Sequence, residues 1–119
     1  MTIIFIIGRI LFGGYFIYSG INHLTETAML SGYAKSKNVP WPTVAVVCSG
    51  LLILLGGLGV LLWLYVRLAL ALIIIFLLLV SFKMHNFWAE SETQGKMGDM
   101  INFTKNMALI GAALMMISL

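Results

Sequence analysis

Four long apolar stretches separate the few charged residues of this chain, and they constrain its fold more than any other feature. They cover residues 3–21, 44–64, 66–82 and 101–119. A helix needs about 20 residues to cross a hydrocarbon core of about 30 Å. Because each stretch is close to that length, the pattern predicts four transmembrane helices.

The composition also indicates a membrane-embedded chain. Of the 119 residues, 61% are hydrophobic and 9% are charged, and a soluble domain this small could not bury so much apolar surface. The apolar runs are continuous and do not alternate, which excludes a β-barrel, since only helices then satisfy their own backbone groups in lipid. The expected fold is all-α, an integral membrane four-helix bundle forming a single domain over residues 1–119.

The connections determine which helix ends lie together. Residues 63–66 are so few that the second and third spans must form an antiparallel hairpin. An even number of spans places both termini and Arg67 on one side of the membrane, here named side A. The other side, side B, then receives every lysine: Lys35, Lys37, Lys83, Lys96 and Lys105. The positive-inside rule predicts that side B faces the cytoplasm.

Small residues recur at a spacing suited to helix packing. Such stripes let two backbones approach closely, which is how helices associate in lipid. The only cysteine, Cys48, is likewise expected to be a small packing residue. The stripes consist of Gly13 and Gly20 in the first span, Gly50 and Gly57 in the second, and Ala108 and Ala112 in the fourth.

Arg9 is the one charge well inside an apolar stretch, about 9 Å from its start by helical rise. A charge at the bilayer centre costs at least about 2.5 kcal/mol, so Arg9 needs a partner. One interpretation is that it reaches lipid phosphate on side A. The other is that it points inward, toward carbonyls, Tyr15 or Tyr18, or an anionic or quinone-like ligand. The acids all lie in the side B connections, at Glu26, Glu90, Glu92 and Asp99.

Polar residues also gather where three spans end at side B. One interpretation is a headgroup belt, with Phe87 and Trp88 as aromatic anchors. The other is a polar vestibule that holds a small polar or aromatic headgroup. Together with Arg9, the candidate ligand-binding residues are Asn22, His23, His85, Asn86, Lys105 and Asn106.

The pattern does not favour a metal site or catalysis by this chain alone. His23 and His85 lack a nearby fixed carboxylate or thiolate and follow no metal-binding spacing, so no metal is expected. No nucleophile stands beside an oriented base, and no catalytic residue is predicted. Basic tracts interleaved with aromatics are absent from the sequence, which excludes a nucleic-acid partner.

Five segments, taken in order and spacing, resemble the DoxX family of small bacterial membrane proteins. They are Arg9 with GGYFIYSGINHL, then GYAKSKNVPWP, LLILLGGLGVLLWLYVR, FKMHNFW and NFTKNMALIGAALMM. The resemblance covers nearly the whole chain. It implies a multi-pass protein of the bacterial inner membrane. DoxX-like sequences often carry a glutamate three residues before the double glycine, where this chain has Ile53, so the resemblance also implies that Arg9 lacks its usual acidic partner.

The resemblance also suggests a function. The family name is similar to that of a subunit of thiosulfate:quinone oxidoreductase, and some relatives are linked to membrane redox assemblies or thiol-stress responses. This implies a non-catalytic subunit or binder of a lipid-soluble, quinone-like molecule, with membrane lipid, further copies of the chain or a redox complex as partners. The alternatives are a small transporter component and a structural scaffold. A binder predicts one occluded, partly aromatic pocket, a transporter predicts access from both sides, and a scaffold predicts a dry bundle.

Overall fold

The computed structural model describes residues 2–119, and the regular elements in that range are all helical. They are α1 (Ile3–Thr25), α2 (Thr27–Ser36), α3 (Pro42–Leu62), α4 (Val66–Met84) and α5 (Thr93–Ile117), with a short 3-10 helix at Phe87–Ala89. The helices α1, α3, α4 and α5 are long and apolar enough to cross a membrane. The predicted all-α fold with four membrane-spanning helices is confirmed.

Two of the spanning helices reach farther toward side B than their apolar stretches indicate. Helix α1 continues past Ile21 to Thr25, and α5 already begins at Thr93. Hydropathy marks only the lipid-facing part of a helix, whereas backbone hydrogen bonds continue into the polar region, as where the Glu26 N–H donates to the Asn22 carbonyl. Asp99 therefore lies within a helix and not in a connection.

Helix α2 lies inside the first connection and was not predicted from the sequence. It packs against α3 and touches α1, with Ser31 and Ala34 buried. After the end of α2, the Val39 N–H donates a hydrogen bond to the Ala34 carbonyl. A helix this short owes its stability to tertiary packing, so its own sequence carries little signal.

The spanning helices pack in chain order, α1 against α3, α3 against α4, and α4 against α5. Helices α1 and α5 do not pack along their length. Large apolar side chains such as Leu11, Leu68 and Leu79 face outward, where lipid would cover them. The buried core consists of Phe16, Ile53, Val60, Ala69, Leu70, Ile73, Leu77, Ile110 and Ala113.

The predicted glycine stripes of α1 and α3 form one seam. A Cβ on Gly13 would lie 2.8 Å from the Gly57 carbonyl oxygen, and a Cβ on Gly20 would lie 2.8 Å from the Gly50 carbonyl oxygen. Only glycine permits backbones this close. The prediction for these four residues is confirmed.

The alanine pair of the fourth span does not line a seam within the chain. Ala108 is exposed, while Asn106, Ile110 and Ala113 form the buried face of α5. The prediction was wrong because a small-residue spacing alone does not say which face of a helix meets its neighbour.

The short turn between α3 and α4 confirms the predicted hairpin. Trp63 and Tyr65 both adopt left-handed backbone conformations, with φ of 57° and 47°. The Leu64 N–H donates to the Gly59 carbonyl, which closes the end of α3. The turn therefore brings α3 and α4 directly against each other at side A.

Candidate functional site

A pocket of about 690 Å³ lies in the side B half of the bundle, between the spanning helices and α2. Within residues 2–119, the residues that line the pocket begin at Tyr15 in α1 and end at Leu52 in α3. In α4 they begin at Phe76, and in α5 they end at Asn106. The pocket is thus confined to the side B half of the bundle.

The pocket wall is mostly apolar, with a few polar groups. Its size falls in the range of about 300–1,000 Å³ that is typical of small-molecule sites. The aromatic rings of Phe16 and Phe76 and the side chains of Leu52, Leu77 and Val80 form part of the wall. An apolar ring or chain could therefore lie against this wall.

The structure brings four of the seven predicted site residues to this pocket and leaves three elsewhere. Those that line the pocket are His23, His85, Lys105 and Asn106. Those that do not are Arg9, Asn22 and Asn86. That these residues bind a ligand stays a prediction, but the shared pocket is the arrangement that the vestibule interpretation requires.

His23 is held firmly in the pocket wall. Its Nδ1 lies 2.7 Å from the Ser19 carbonyl oxygen, one helical turn earlier in α1. Its ring meets Phe76 of α4 edge to face, with centroids 5.8 Å apart. Residues 2–119 bring together no group of three or more histidine, cysteine or carboxylate side chains suited to a metal.

Asn106 is the most buried polar residue of the pocket, with 5% of its surface exposed. No described residue forms a hydrogen bond with its side-chain amide. Buried amides in native proteins nearly always have a partner, from the protein, from water or from a ligand. The Asn106 amide is therefore available to something that occupies the pocket.

Lys105 bridges the opening between α5 and α1. Its Nζ donates to the Tyr15 hydroxyl at 3.1 Å and to the Asn102 Oδ1 at 3.5 Å. The same ammonium lies 5.6 Å from the centroid of the Tyr15 ring. This contact joins two helices whose backbones are not packed, and it forms part of the rim of the pocket.

A partly buried ion pair next to the pocket was not predicted from the sequence. Asp99 of α5 accepts a hydrogen bond from Lys37 Nζ at 2.7 Å, and its other oxygen lies 3.3 Å from His85 Nδ1. The Tyr33 hydroxyl donates to that second oxygen at 3.4 Å, and Glu90 lies 3.7 Å from Lys37 Nζ. We name Lys37, Asp99, His85 and Tyr33 the side B cluster.

One sequence signal could have identified Asp99. It shares the buried face of α5 with Asn106, Ile110 and Ala113, and these spacings follow the helical period. Hydropathy predicted that the fourth span begins at residue 101, so Asp99 was assigned to a connection and not to this helix face. Its partner Lys37 lies in the first connection, and no local pattern links the two.

The side B cluster surrounds Asp99 with hydrogen-bond donors. Burial raises the pKa of Tyr33 above its ordinary value, and the Asp99 carboxylate raises it further. Burial acts to lower the pKa of Lys37, but the hydrogen bond and charge of Asp99 outweigh it, so the Lys37 pKa is raised. Lys37 and Tyr33 therefore keep their protons at neutral pH and both donate to Asp99.

The stretch SFKMHNFW divides its side chains between two surroundings. Phe82, Phe87 and Trp88 all contact the ring of Phe103, with centroids 5.3 to 5.6 Å apart. This aromatic cluster holds the 3-10 helix against α5. His85 instead lines the pocket, so the aromatic and polar residues of one stretch have separate roles.

Arg9 points inward, toward the end of α3 at side A. Its Nε and Nη2 both donate to the Leu61 carbonyl oxygen, at 3.2 and 2.7 Å. The guanidinium also lies 5.7 Å from the Phe5 ring centroid and 6.0 Å from that of Trp63. Of the two interpretations, the geometry favours the inward one, with a helix-terminal carbonyl as partner.

Cys48 differs from its expected role. It is exposed and lines the pocket, so the prediction that it packs between helices was wrong. It lies two residues before Gly50 of the glycine seam, and positions two apart on a helix face in different directions.

The family model described as DoxX matches residues 4–86. That range contains helices α1 to α4 and ends at Asn86, so the segment NFTKNMALIGAALMM, which also contributed to the resemblance, lies outside the match. No curated protein and no solved structure matches the chain.

Proposed function

This chain belongs to the DoxX family of membrane proteins, and on that premise we propose that it binds a lipid-soluble, quinone-like molecule in its side B pocket. In this proposal the chain is a non-catalytic component of a membrane redox system. It works with membrane lipid, with further copies of itself or with a redox complex. Its membrane is the bacterial inner membrane, with side B and its lysines toward the cytoplasm.

The observation that carries the proposal is an apolar pocket in which some polar side chains have no hydrogen-bond partner among residues 2–119. A quinone has a flat ring with polar oxygens and an apolar tail. The pocket offers aromatic and aliphatic walls for the ring and the tail, and the NH₂ group of the Asn106 amide can donate to a quinone oxygen. Ligand sites commonly combine such walls with a few convergent polar groups.

The alternative functions fit the pocket less well. A transporter needs access from both sides of the membrane, whereas the pocket lining ends at Tyr15 and Leu52 and does not reach side A. A scaffold would pack its glycine seam, as this chain does, but a dry bundle has no need of a pocket of about 690 Å³.

Native mass spectrometry of the protein, extracted gently from its own membrane, tests the proposal. We expect one ring-containing lipid to remain bound at a fixed ratio to the protein. A protein that retains only bulk phospholipid would contradict ligand binding and favour the scaffold hypothesis.

A matched pair of variants ties the bound molecule to the pocket. Ala45 lines the pocket, so Ala45→Phe fills part of it and should remove the bound molecule. Ala108 is exposed on α5 outside the pocket, and Ala108→Phe should leave the bound molecule in place. Equal retention by both variants would place the bound molecule elsewhere.

A further inference from the structure

Both histidines of the pocket have the same ring nitrogen occupied. His23 Nδ1 lies 2.7 Å from the Ser19 carbonyl oxygen, and His85 Nδ1 lies 3.3 Å from an Asp99 carboxylate oxygen. His23 lies in α1, whereas His85 directly follows the end of α4. Two unrelated local arrangements therefore leave Nε2 as the remaining nitrogen in each ring.

The partners determine which nitrogen carries the hydrogen. A backbone carbonyl can only accept a hydrogen bond, so His23 must donate from Nδ1. Asp99 is ion-paired with Lys37 at 2.7 Å, and an ionised carboxylate also only accepts. In a neutral imidazole with its hydrogen on Nδ1, the Nε2 atom carries a lone pair and is a hydrogen-bond acceptor.

These acceptors have no partner within the part of the chain that the structure describes. Neither Nε2 atom forms a hydrogen bond with residues 2–119, although both rings line the pocket. The Lys105 ammonium already donates to Tyr15 and Asn102, and the Asn106 amide can both donate and accept. The histidines are thus the groups that distinguish a ligand with hydroxyl donors from one without them.

We propose that the pocket selects hydroxyl-bearing rings, such as hydroquinones and phenols, over the same rings with only carbonyl or ether oxygens. This inference rests on the proposed function and names the ligand class of the same pocket. His23 and His85 accept hydrogen bonds from the ring hydroxyls through Nε2. Asp99 and the Ser19 carbonyl act as positioning groups, because they fix the ring tautomers without touching the ligand.

The test compares a para-alkylphenol with its methyl ether, which has the same ring and tail but no donor. Binding to the whole protein in lipid nanodiscs is measured at about pH 8, where histidine in peptides is neutral, and partition into empty nanodiscs is subtracted. One additional hydrogen bond should make the phenol bind about tenfold more tightly. Equal binding of the two probes would overturn the inference and leave the proposed function standing.

A result in which neither probe binds more than it partitions into empty nanodiscs has a different meaning from equal binding. It would overturn the proposed function, and this inference with it.

The variants His85→Phe and His23→Phe test the two residues individually. Because a phenol donates a single hydrogen bond, at least one of the two variants should reduce the preference for the phenol while the ether binds as before, since a ring remains in place and the Nε2 acceptor is lost. An unchanged preference in both variants would contradict the inference.

Asp99→Asn tests the positioning role. Lys37 can only donate, so it should engage the carbonyl oxygen of the new amide and leave the NH₂ group toward His85. An NH₂ donor at Nδ1 moves the ring hydrogen to Nε2, which turns His85 into a donor and lowers the preference for the phenol. Glu90→Gln is the control, since it removes a neighbouring charge of Lys37 without touching His85, and it should keep the preference.

Nitrogen NMR of the protein labelled in its histidines provides a measurement that needs no ligand and no folded variant. The chemical shifts of the two ring nitrogens report which one carries the hydrogen. We expect both histidines of the wild-type protein to be protonated on Nδ1 at about pH 8. A neutral His85 with its hydrogen on Nε2 would overturn the inference even if Asp99→Asn does not fold.

Discussion

The two ends of the bundle satisfy their buried charges in different ways. At side A, the guanidinium of Arg9 donates to the Leu61 carbonyl at the end of α3. At side B, Lys37 and Asp99 come from separate segments and pair with each other. The difference follows from the connections, because the tight hairpin at side A supplies no charged side chain, whereas the long connections at side B supply α2 and Lys37.

The two halves of the bundle also differ in how closely their helices pack. The glycine seam lets α1 and α3 meet along their length, and core residues such as Val60, Leu70 and Ala113 fill the side A half. The side B half instead contains the pocket, to which both α1 and α5 contribute lining residues. A charge bonded to a helix-terminal carbonyl stabilises one helix end, whereas charges paired across segments hold together the wall of a pocket.

The largest expected effect comes from breaking the side B ion pair. Asp99→Ala leaves the Lys37 ammonium, which is only 16% exposed, without its main partner. We expect a loss of about 3 kcal/mol in the free energy of unfolding, at the low end for buried pairs because Lys37 keeps some exposure. Unfolding in detergent mixtures, followed by circular dichroism, measures it.

The double variant Lys37→Met with Asp99→Leu is the matched control. Replacing both charges by apolar side chains removes the uncompensated ion, so most of the lost stability should return. If the double variant is as unstable as Asp99→Ala, the loss comes from packing and the ionic description of side B is wrong.

The next effect in size comes from the seam between α1 and α3. A Cβ on Gly57 would lie 2.7 Å from the Gly13 carbonyl oxygen and 2.8 Å from the Ile17 nitrogen. Both atoms belong to the backbone and cannot rotate away, so Gly57→Ala should cost about 2 kcal/mol of unfolding free energy. The same detergent unfolding experiment applies.

Gly14→Ala provides the control within the same helix pair. A Cβ there meets nothing within 4 Å, and alanine is the better helix former by about 0.5–1 kcal/mol. We therefore expect Gly14→Ala to be neutral or slightly stabilising. Equal losses in the two variants would mean that the helices do not meet along this seam.

The smallest effect is expected at the side A charge. Arg9→Leu removes the hydrogen bonds to Leu61 and should cost about 1.5 kcal/mol, the low end for bonds to a charged group. Arg67 is exposed on the same side, and Arg67→Leu should change stability by less than about 0.5 kcal/mol. If Arg9→Leu costs no more than Arg67→Leu, Arg9 interacts mainly with headgroups and the contrast between the two ends disappears.

Part of the candidate site could be predicted because it lies where helices leave the apolar region. His23, His85, Lys105 and Asn106 were identified from their positions near span ends, and these residues line one pocket. Arg9 was identified as the one intramembrane charge, and its partner is a backbone carbonyl, which a side-chain pattern does not reveal.

The sequence by itself determined the membrane-spanning helices, the hairpin and the glycine stripes of the first two spans. These features depend on local quantities, namely hydropathy over about 20 residues, the length of one turn and the spacing of small residues. Each can be read within one or two neighbouring segments.

Only the tertiary structure decided helix α2, the side B cluster and the pocket. Lys37 and Asp99 are 62 positions apart in the chain, and no local pattern pairs them. The pocket is lined by residues from α1 to α5, and helix order is a property of the whole bundle. The physical reason is that packing between distant segments sets these contacts, whereas hydropathy and spacing describe one segment at a time.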